Sequence, residues 1–268
     1  MSVEIDRRPA GVPVPPRPVL ALRGLSKTYP DGTVGLHRAD LDVRAGEMVA
    51  ILGPNGCGKS TLLRSAIRLI EPTAGTVTIG GRDMATARGG SLRSARRQVG
   101  LVLQAPSLVR RRSVLANVAT GALGRHRGLS SRIGLAPRGE FPFAAQCLDR
   151  VGLLDLAWRR ADQLSGGQAQ RAAIARALCQ RPLILFADEP VASLDPEAAE
   201  EVMTTLRGLV DTESLAVLIV LHQPDLGRRY ADRLVGMRDG EFVFDRRAPD
   251  VQPGEIEVLY ARTPGTVP

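Results

Sequence analysis

The sequence predicts an α/β fold built on a mostly parallel β-sheet, and three observations carry that reading. Short apolar runs alternate with stretches of helical periodicity along most of the chain, the pattern of strands joined by crossover helices. One run, Met48–Leu52, feeds directly into Gly53-Pro54-Asn55-Gly56-Cys57-Gly58-Lys59-Ser60, a G-x-x-x-x-G-K-[ST] loop followed by helical spacing. Another, residues 183–187, ends in the adjacent carboxylates Asp188 and Glu189.

At 268 residues the chain is long enough to bury a good core as one composite domain. Residues 1–18 are rich in Pro and Arg, lack an apolar stretch, and read as a disordered tail rather than a signal peptide. The longest clean apolar run, residues 215–221, has the length of an interior strand, well short of the ~18–20 residues that span a bilayer. The three cysteines, Cys57, Cys147 and Cys179, lack metal-ligand spacing and read as reduced thiols of a cytosolic protein. Cys57 reads as a small filler of the glycine loop. Net charge is +8 and unevenly placed: residues 82–139 hold twelve arginines and one acid, Asp83. Such a block suits nucleic acid, a membrane partner near anionic lipid, or a solvated face. Aromatics are only 3% of the chain and do not interleave with the arginines as base stacking requires, so no nucleic-acid partner is expected.

Taken in order, residues 19–23, 35–43 and Met48–Leu52 read as strands parted by turns at Asp31-Gly32 and Ala45-Gly46. After the glycine loop and its helix, residues 76–79 with Gly80-Gly81 add a β element and residues 99–103 a strand. Residues 115–123 and 144–151 have helical character, separated by a polar Arg/Gly loop at 124–139. Residues 168–178 repeat Ala, Ile and Leu at helical intervals just after two glycines. Strands at 183–187 and 216–221 flank a helix at 196–210. No internal repeat is present, which implies one unit and not a tandem pair.

In a loop of this kind, backbone N–H groups converge on phosphate oxygens at a helix N-terminus. Lys59 then reaches the β- and γ-phosphates, and the Ser60 hydroxyl ligates Mg²⁺. Lys59 is one of only two lysines, with Lys27, in a chain that otherwise uses Arg. A compact ammonium fits between phosphates where a planar guanidinium does not. Asp188 ends a buried strand, where a carboxylate is costly unless it faces an ion or a donor, and this points to Mg²⁺ through water. Glu189 becomes the candidate for polarising an attacking water. On these residues alone, two carboxylates capping the turn before Pro190 remain an alternative. Ser165-Gly166-Gly167 precedes a helix and offers a second anion site, or, taken by itself, an N-cap and a turn.

With Leu164-Ser165-Gly166-Gly167-Gln168 standing between the glycine loop and the Asp188-Glu189 pair, the chain resembles the ATP-binding-cassette (ABC) ATPases from about Val19 to Tyr260. The resemblance implies an α/β P-loop NTPase core of the RecA-like, mostly parallel type. It adds an N-terminal antiparallel β subdomain and a helical subdomain inserted at about residues 105–172. All of this forms a single domain at 19–260, followed by a C-terminal tail at 261–268. The implied ligands are ATP and Mg²⁺. ATP is held by Gly53, Pro54, Asn55, Gly56, Cys57, Gly58, Lys59, Ser60 and Thr61, with Tyr29 stacked on adenine. Mg²⁺ falls to Ser60, Gln104 and Asp188, and catalysis to Glu189, His222, Gln104 and Lys59. In the family two subunits sandwich two ATPs, each between one loop and the opposite Ser165, Gly166, Gly167 and Gln168, with Asp195 across the interface. Alone, Tyr29 reads as a core ring, Gln104 as a loop polar residue, Asp195 as an N-cap and His222 as a strand-end histidine.

Finer wording resembles the ATP-binding subunits of phosphonate importers. It lies in the stretch from Leu103 to Val118, in Thr120-Gly121-Ala122-Leu123-Gly124, in the stretch from Ala187 to Pro196, and in Leu221-His222-Gln223-Pro224-Asp225. Departures are Ala169 in place of a second Gln, Cys57 in place of Ala or Ser, and the Pro-rich tail. This resemblance implies the motor subunit of an importer, a peripheral homodimer at the cytoplasmic face of the inner membrane. It would serve transmembrane permease subunits and, indirectly, an extracytoplasmic substrate-binding protein. Alternatives are an importer of another small solute such as phosphate or an amino acid, or a cassette subunit associated with carbon–phosphorus lyase. Soluble cassettes of DNA repair or translation carry long coiled-coil insertions or two cassettes, and this chain has neither. In the family the segment after Gln104 meets the membrane subunit, so Arg110, Arg111 and Arg112 are docking candidates, or solvated arginines without a partner.

Overall fold

Apolar runs too short for helices and buried on both faces set the architecture of this computed structural model, which describes residues 17–126 and 134–261. Six strands form the larger sheet, in the spatial order Val99–Leu103 (β6), Ile184–Asp188 (β7), Ala216–Val220 (β8), Met48–Leu52 (β3), Arg233–Arg238 (β9) and Glu241–Arg247 (β10). All neighbours pair in parallel except β9 with β10. Strand β3 shows why the runs are continuous. Met48, Ala50 and Leu52 pack toward one layer, Val49 and Ile51 toward the other, and every side chain is buried. Each Leu or Ile so buried stabilises the fold by about 1.5–3 kcal/mol.

The second layer is an antiparallel sheet in the order Val34–Val43 (β2), Leu20–Thr28 (β1), Ala74–Ile79 (β4) and Arg82–Asp83 (β5). Lys59–Ala66 (α1) is sandwiched with it against β3. Gly89–Arg96 (α2) leads into β6. On the other face lie Val114–Ala119 (α3), Phe141–Arg150 (α4), Gly166–Cys179 (α5) and Pro196–Glu213 (α6), closing the larger core cluster. Pro224–Tyr230 (α7) and Pro253–Tyr260 (α8) complete the chain. This is the mostly parallel core with an antiparallel N-terminal sheet and helices between its halves that the sequence implies.

Several boundaries differ from the sequence reading. The helical stretch at 115–123 is split: α3 stops at Ala119 and a 3₁₀ turn spans Thr120–Arg125. The Thr120 hydroxyl donates to the Asn117 carbonyl at 2.6 Å, and the glycines in the turn do not favour a further α turn. Strand β1 runs to Thr28, beyond residue 23, because register shifts carry its pairing past Gly24. The strands β9 and β10 and the helices α2, α7 and α8 have no counterpart in the sequence reading. Of the expected tails and loop, residues 1–16, 127–133 and 262–268 lie outside the described residues.

Candidate active site

Parallel strands deliver their C-terminal ends to one edge, where ligands of open α/β sheets bind. Here β3 ends in the glycine loop, β7 in Asp188-Glu189, and β8 in Leu221-His222. In the ladder Asp188 sits between Leu103 and Val220, so residues distant in sequence share one rim.

The loop folds tightly over Lys59. The buried ammonium donates to the carbonyls of Gly53 and Pro54, both at 2.8 Å, and lies 3.8 Å from the Cys57 sulfur. Glycine is required at two of its turns. Gly58 has φ of 107° and Gly53 of 156°; a Cβ on the first would strike the Gly35 carbonyl and on the second the Met237 carbonyl. Cys57 fills the space under the loop, 5% exposed, and burial pushes its thiol up from the ordinary range. That matches the small-filler reading of this position.

Above the loop lies a cavity of about 890 Å³, lined by Pro54, Asn55, Gly56, Gly58, Lys59, Ser60 and Thr61 and closed by Tyr29, Glu189, His222 and Tyr260. The Tyr29 hydroxyl lies 3.1 Å from Thr61 Oγ1, and Lys27 sits over the ring at 5.3 Å from its centroid. The ring is therefore fixed edge and face as a wall of the cavity. Glu189 adopts a left-handed backbone, φ 54°, and its Oε1 lies 2.6 Å from His222 Nε2. A non-glycine residue in that conformation marks strain of the kind that collects at functional sites.

The donors suit a nucleoside triphosphate with a hard cation. The Ser60 hydroxyl donates to Asp188 Oδ1 at 3.0 Å, an oxygen-only pair, and Asp188 is 7% exposed. Among the described residues no group of three or more His, Cys, Asp or Glu could hold a metal alone. Mg²⁺ is normally held by one or two protein oxygens, with water and phosphate completing the shell, so the pair fits it. The cradle of loop amides, which no side chain may enter at Gly53 or Gly58, fits the phosphates.

Other expected residues stand elsewhere. Gln104 follows β6 at the sheet edge, exposed, and does not line the cavity. Ser165 and Asp195 N-cap α5 and α6, accepting from Gln168 N at 3.2 Å and Ala198 N at 2.9 Å. They meet at a separate small hollow with Gln168, Arg171, Glu197, Ala198 and Glu201. Gly166 and Gly167 open α5 between them. One chain thus carries a phosphate-loop face and a Ser-Gly-Gly face that do not touch.

Two links tie these faces through the helical layer. Gln170 on α5, buried, donates to the Leu103 carbonyl at 2.9 Å, and Arg176 donates to Pro106 and Ser107 carbonyls at 2.8 Å each. Buried Asn117 holds both backbone groups of Val109 and so fixes the arginine loop. That loop pairs with the segment before Leu164 through Val114 N to Arg159 O, 2.8 Å, and Ala161 N to Arg112 O, 3.0 Å. Arg110 and Arg111 are exposed there, and Trp158, next to Arg159 in the sequence, is 79% exposed. Sequence reasoning missed Trp158 and Tyr260, neither of which stands in a motif.

A family model described as ABC transporter matches residues 36–192. The chain is 42% identical over 242 residues to "Phosphonates import ATP-binding protein PhnC 2" of Halalkalibacterium halodurans, covering 90% of this chain and 99% of that protein. It is 46% identical over 246 residues to a protein of the same name from Cupriavidus metallidurans, covering 92% and 88%. Among solved structures, cbiO1 of Clostridium perfringens, part of the ABC transporter complex cbiONQ, superposes with a TM-score of 0.79 at 28% identity, covering 90% and 93%. The ATP-binding cassette MJ0796, solved as a dimer bound to ADP and Pi, superposes at 0.73 with 32% identity, covering 85% and 98%.

Proposed function

This chain belongs to the ABC transporter family of ATP-binding cassettes, and from that premise we propose that it is the ATP-hydrolysing motor subunit of an importer for phosphonates or a related phosphorus oxyanion. The observation that carries the motor reading is the separation of the Ser165 face from the loop cavity. Each half-site presents anion-binding groups that lack their complement, which supports two copies stacked head to tail over two ATPs.

In this reading Lys59 keeps its bond to the Gly53 carbonyl and turns its remaining N–H groups to phosphate oxygens, and the loop amides hold the rest. Mg²⁺, when bound, supplies charge neutralisation on the phosphates, with Ser60 and Asp188 as its protein ligands. Tyr29 faces the base. Glu189 accepts a proton from the attacking water, and His222 holds its carboxylate in place. ATP and water give ADP and phosphate. Gln104, away from the cavity here, reaches the site only if β6 and the segment after it shift with the helical layer. The bonds from Gln170 to Leu103 and from Arg176 to Pro106 and Ser107 supply a route for that shift.

The domain reading is one cassette at 19–260 with the helical subdomain at about 105–172. Arg110, Arg111 and Arg112 with Trp158 form the docking surface for transmembrane permease subunits. No helix among the described residues is long and apolar enough to cross a membrane. The importer reading puts the chain on the cytoplasmic face of the inner membrane, with an extracytoplasmic substrate-binding protein as an indirect partner. The cargo assignment is supported by the similarity to phosphonate import proteins over most of the chain. Growth on a panel of phosphonates as sole phosphorus source, in a strain lacking this gene, tests it. Loss of growth on phosphonates but not on phosphate is expected. Unimpaired phosphonate uptake overturns the cargo, while loss of uptake of another solute names the replacement.

A further inference from the structure

The terminal helix α8 ends at the phosphate loop. Leu259 is 1% exposed in the core, while the next residue, Tyr260, turns its ring into the wall of the cavity. The Gly53 N–H donates to the Tyr260 hydroxyl oxygen at 3.2 Å. Gly53 is thus gripped from both sides, its N–H by Tyr260 and its carbonyl by the Lys59 ammonium. No Cβ is tolerated at this residue, so its peptide is set by these contacts and by the Met237 backbone behind it. The end of α8 is in turn held from β9, where Arg238 donates to the Val258 and Ala261 carbonyls at 2.9 Å each.

We propose that Tyr260 is a positioning residue for nucleotide binding, fixing the first peptide of the phosphate loop and through it Lys59. The route runs from Arg238 to the end of α8, from Tyr260 to Gly53, and from Gly53 to the ammonium that reads the phosphates. Tyr260 touches no reacting atom in this scheme. Its effect falls on ATP affinity and leaves the chemical step unchanged. Burial holds the phenol in its protonated state well into alkaline pH, so the contact persists across the physiological range. The inference rests on the ATPase reading of the loop cavity.

The test is equilibrium ATP binding by calorimetry on the full chain, for wild type, Tyr260→Phe, Arg238→Ala and the double variant. Phenylalanine keeps the ring and removes only the acceptor. Loss of one hydrogen bond predicts about five-fold weaker ATP binding, with kcat unchanged and KM raised. Arg238→Ala should weaken binding in the Tyr260 background and have no added effect on Tyr260→Phe, because both act through one contact. Equal affinity of wild type and Tyr260→Phe overturns the proposal. So does an Arg238→Ala effect that persists undiminished in the Phe background, since α8 then acts on the fold alone. If wild type itself fails to bind ATP, the ATPase reading falls first.

Discussion

His222 Nε2 and Glu189 Oε1 lie 2.6 Å apart across the rim of the loop cavity, although the two residues are 33 positions apart in the sequence. The pair places a histidine on the one carboxylate that faces the cavity from the Asp188-Glu189 dipeptide. Glu189→Gln keeps the shape and removes the proton acceptor. Turnover should fall by two to four orders of magnitude, the range of about 10²–10⁴ for general base catalysis, with ATP binding retained. His222→Ala should lower kcat while leaving ATP affinity within a few-fold. Single-turnover hydrolysis beside equilibrium binding separates the two effects. Wild-type hydrolysis by Glu189→Gln would remove Glu189 from its role.

Gly58 carries φ of 107° with the Gly35 carbonyl directly where a Cβ would stand. Gly58→Ala should therefore cost about 1–3 kcal/mol of backbone strain and abolish ATP binding by displacing Lys59. Trimming Met237, the nearest side chain, should not rescue it, because the obstacle is backbone. Thermal unfolding and ATP binding of both variants check this.

The catalytic half of the site is legible in the sequence because chemistry and topology coincide in the chain. The strands ending at Leu52, Asp188 and Val220 each run within two residues into a residue that stands at the cavity or its loop. The rest is not legible, for identifiable reasons. Tyr260 comes from a terminal helix with no spacing relation to the loop, and only tertiary packing of Leu259 brings it there. Trp158 stands exposed just before residues 159–162, whose hydrogen bonds to the arginine loop no periodicity encodes. Strand β10 alternates weakly, with exposed Val243 beside buried Phe244, so its pattern reads as loop. Resemblance places Gln104 at the γ-phosphate, whereas here it follows β6, exposed, and does not line the cavity.

Glu140 links the helical layer to pH. Burial alone would raise its carboxyl, but hydrogen bonding from His126 at 2.6 Å and the Arg125 guanidinium together hold it below its ordinary 4.5. A depressed carboxyl stabilises the fold above the unfolded value and loses that contribution as pH falls through the folded one. Glu140→Gln should cost about 1–2 kcal/mol at pH 7 and less at pH 3, as protonation weakens the contacts to His126 and Arg125. Denaturant unfolding at both pH values measures it; an equal deficit at pH 3 would contradict the assignment.

In the paired reading Ser165 serves the ATP of another copy. The most direct measurement uses Ser165→Arg and Lys59→Ala chains, assayed separately and after mixing and refolding together. Ser165→Arg alone should bind ATP as wild type does and hydrolyse none. Lys59→Ala alone should be silent, and the mixture should regain partial turnover, since a mixed pair holds one intact loop facing one intact Ser165. Turnover by Ser165→Arg alone, or no recovery in mixtures that form pairs, would show that Ser165 does not act across a pair.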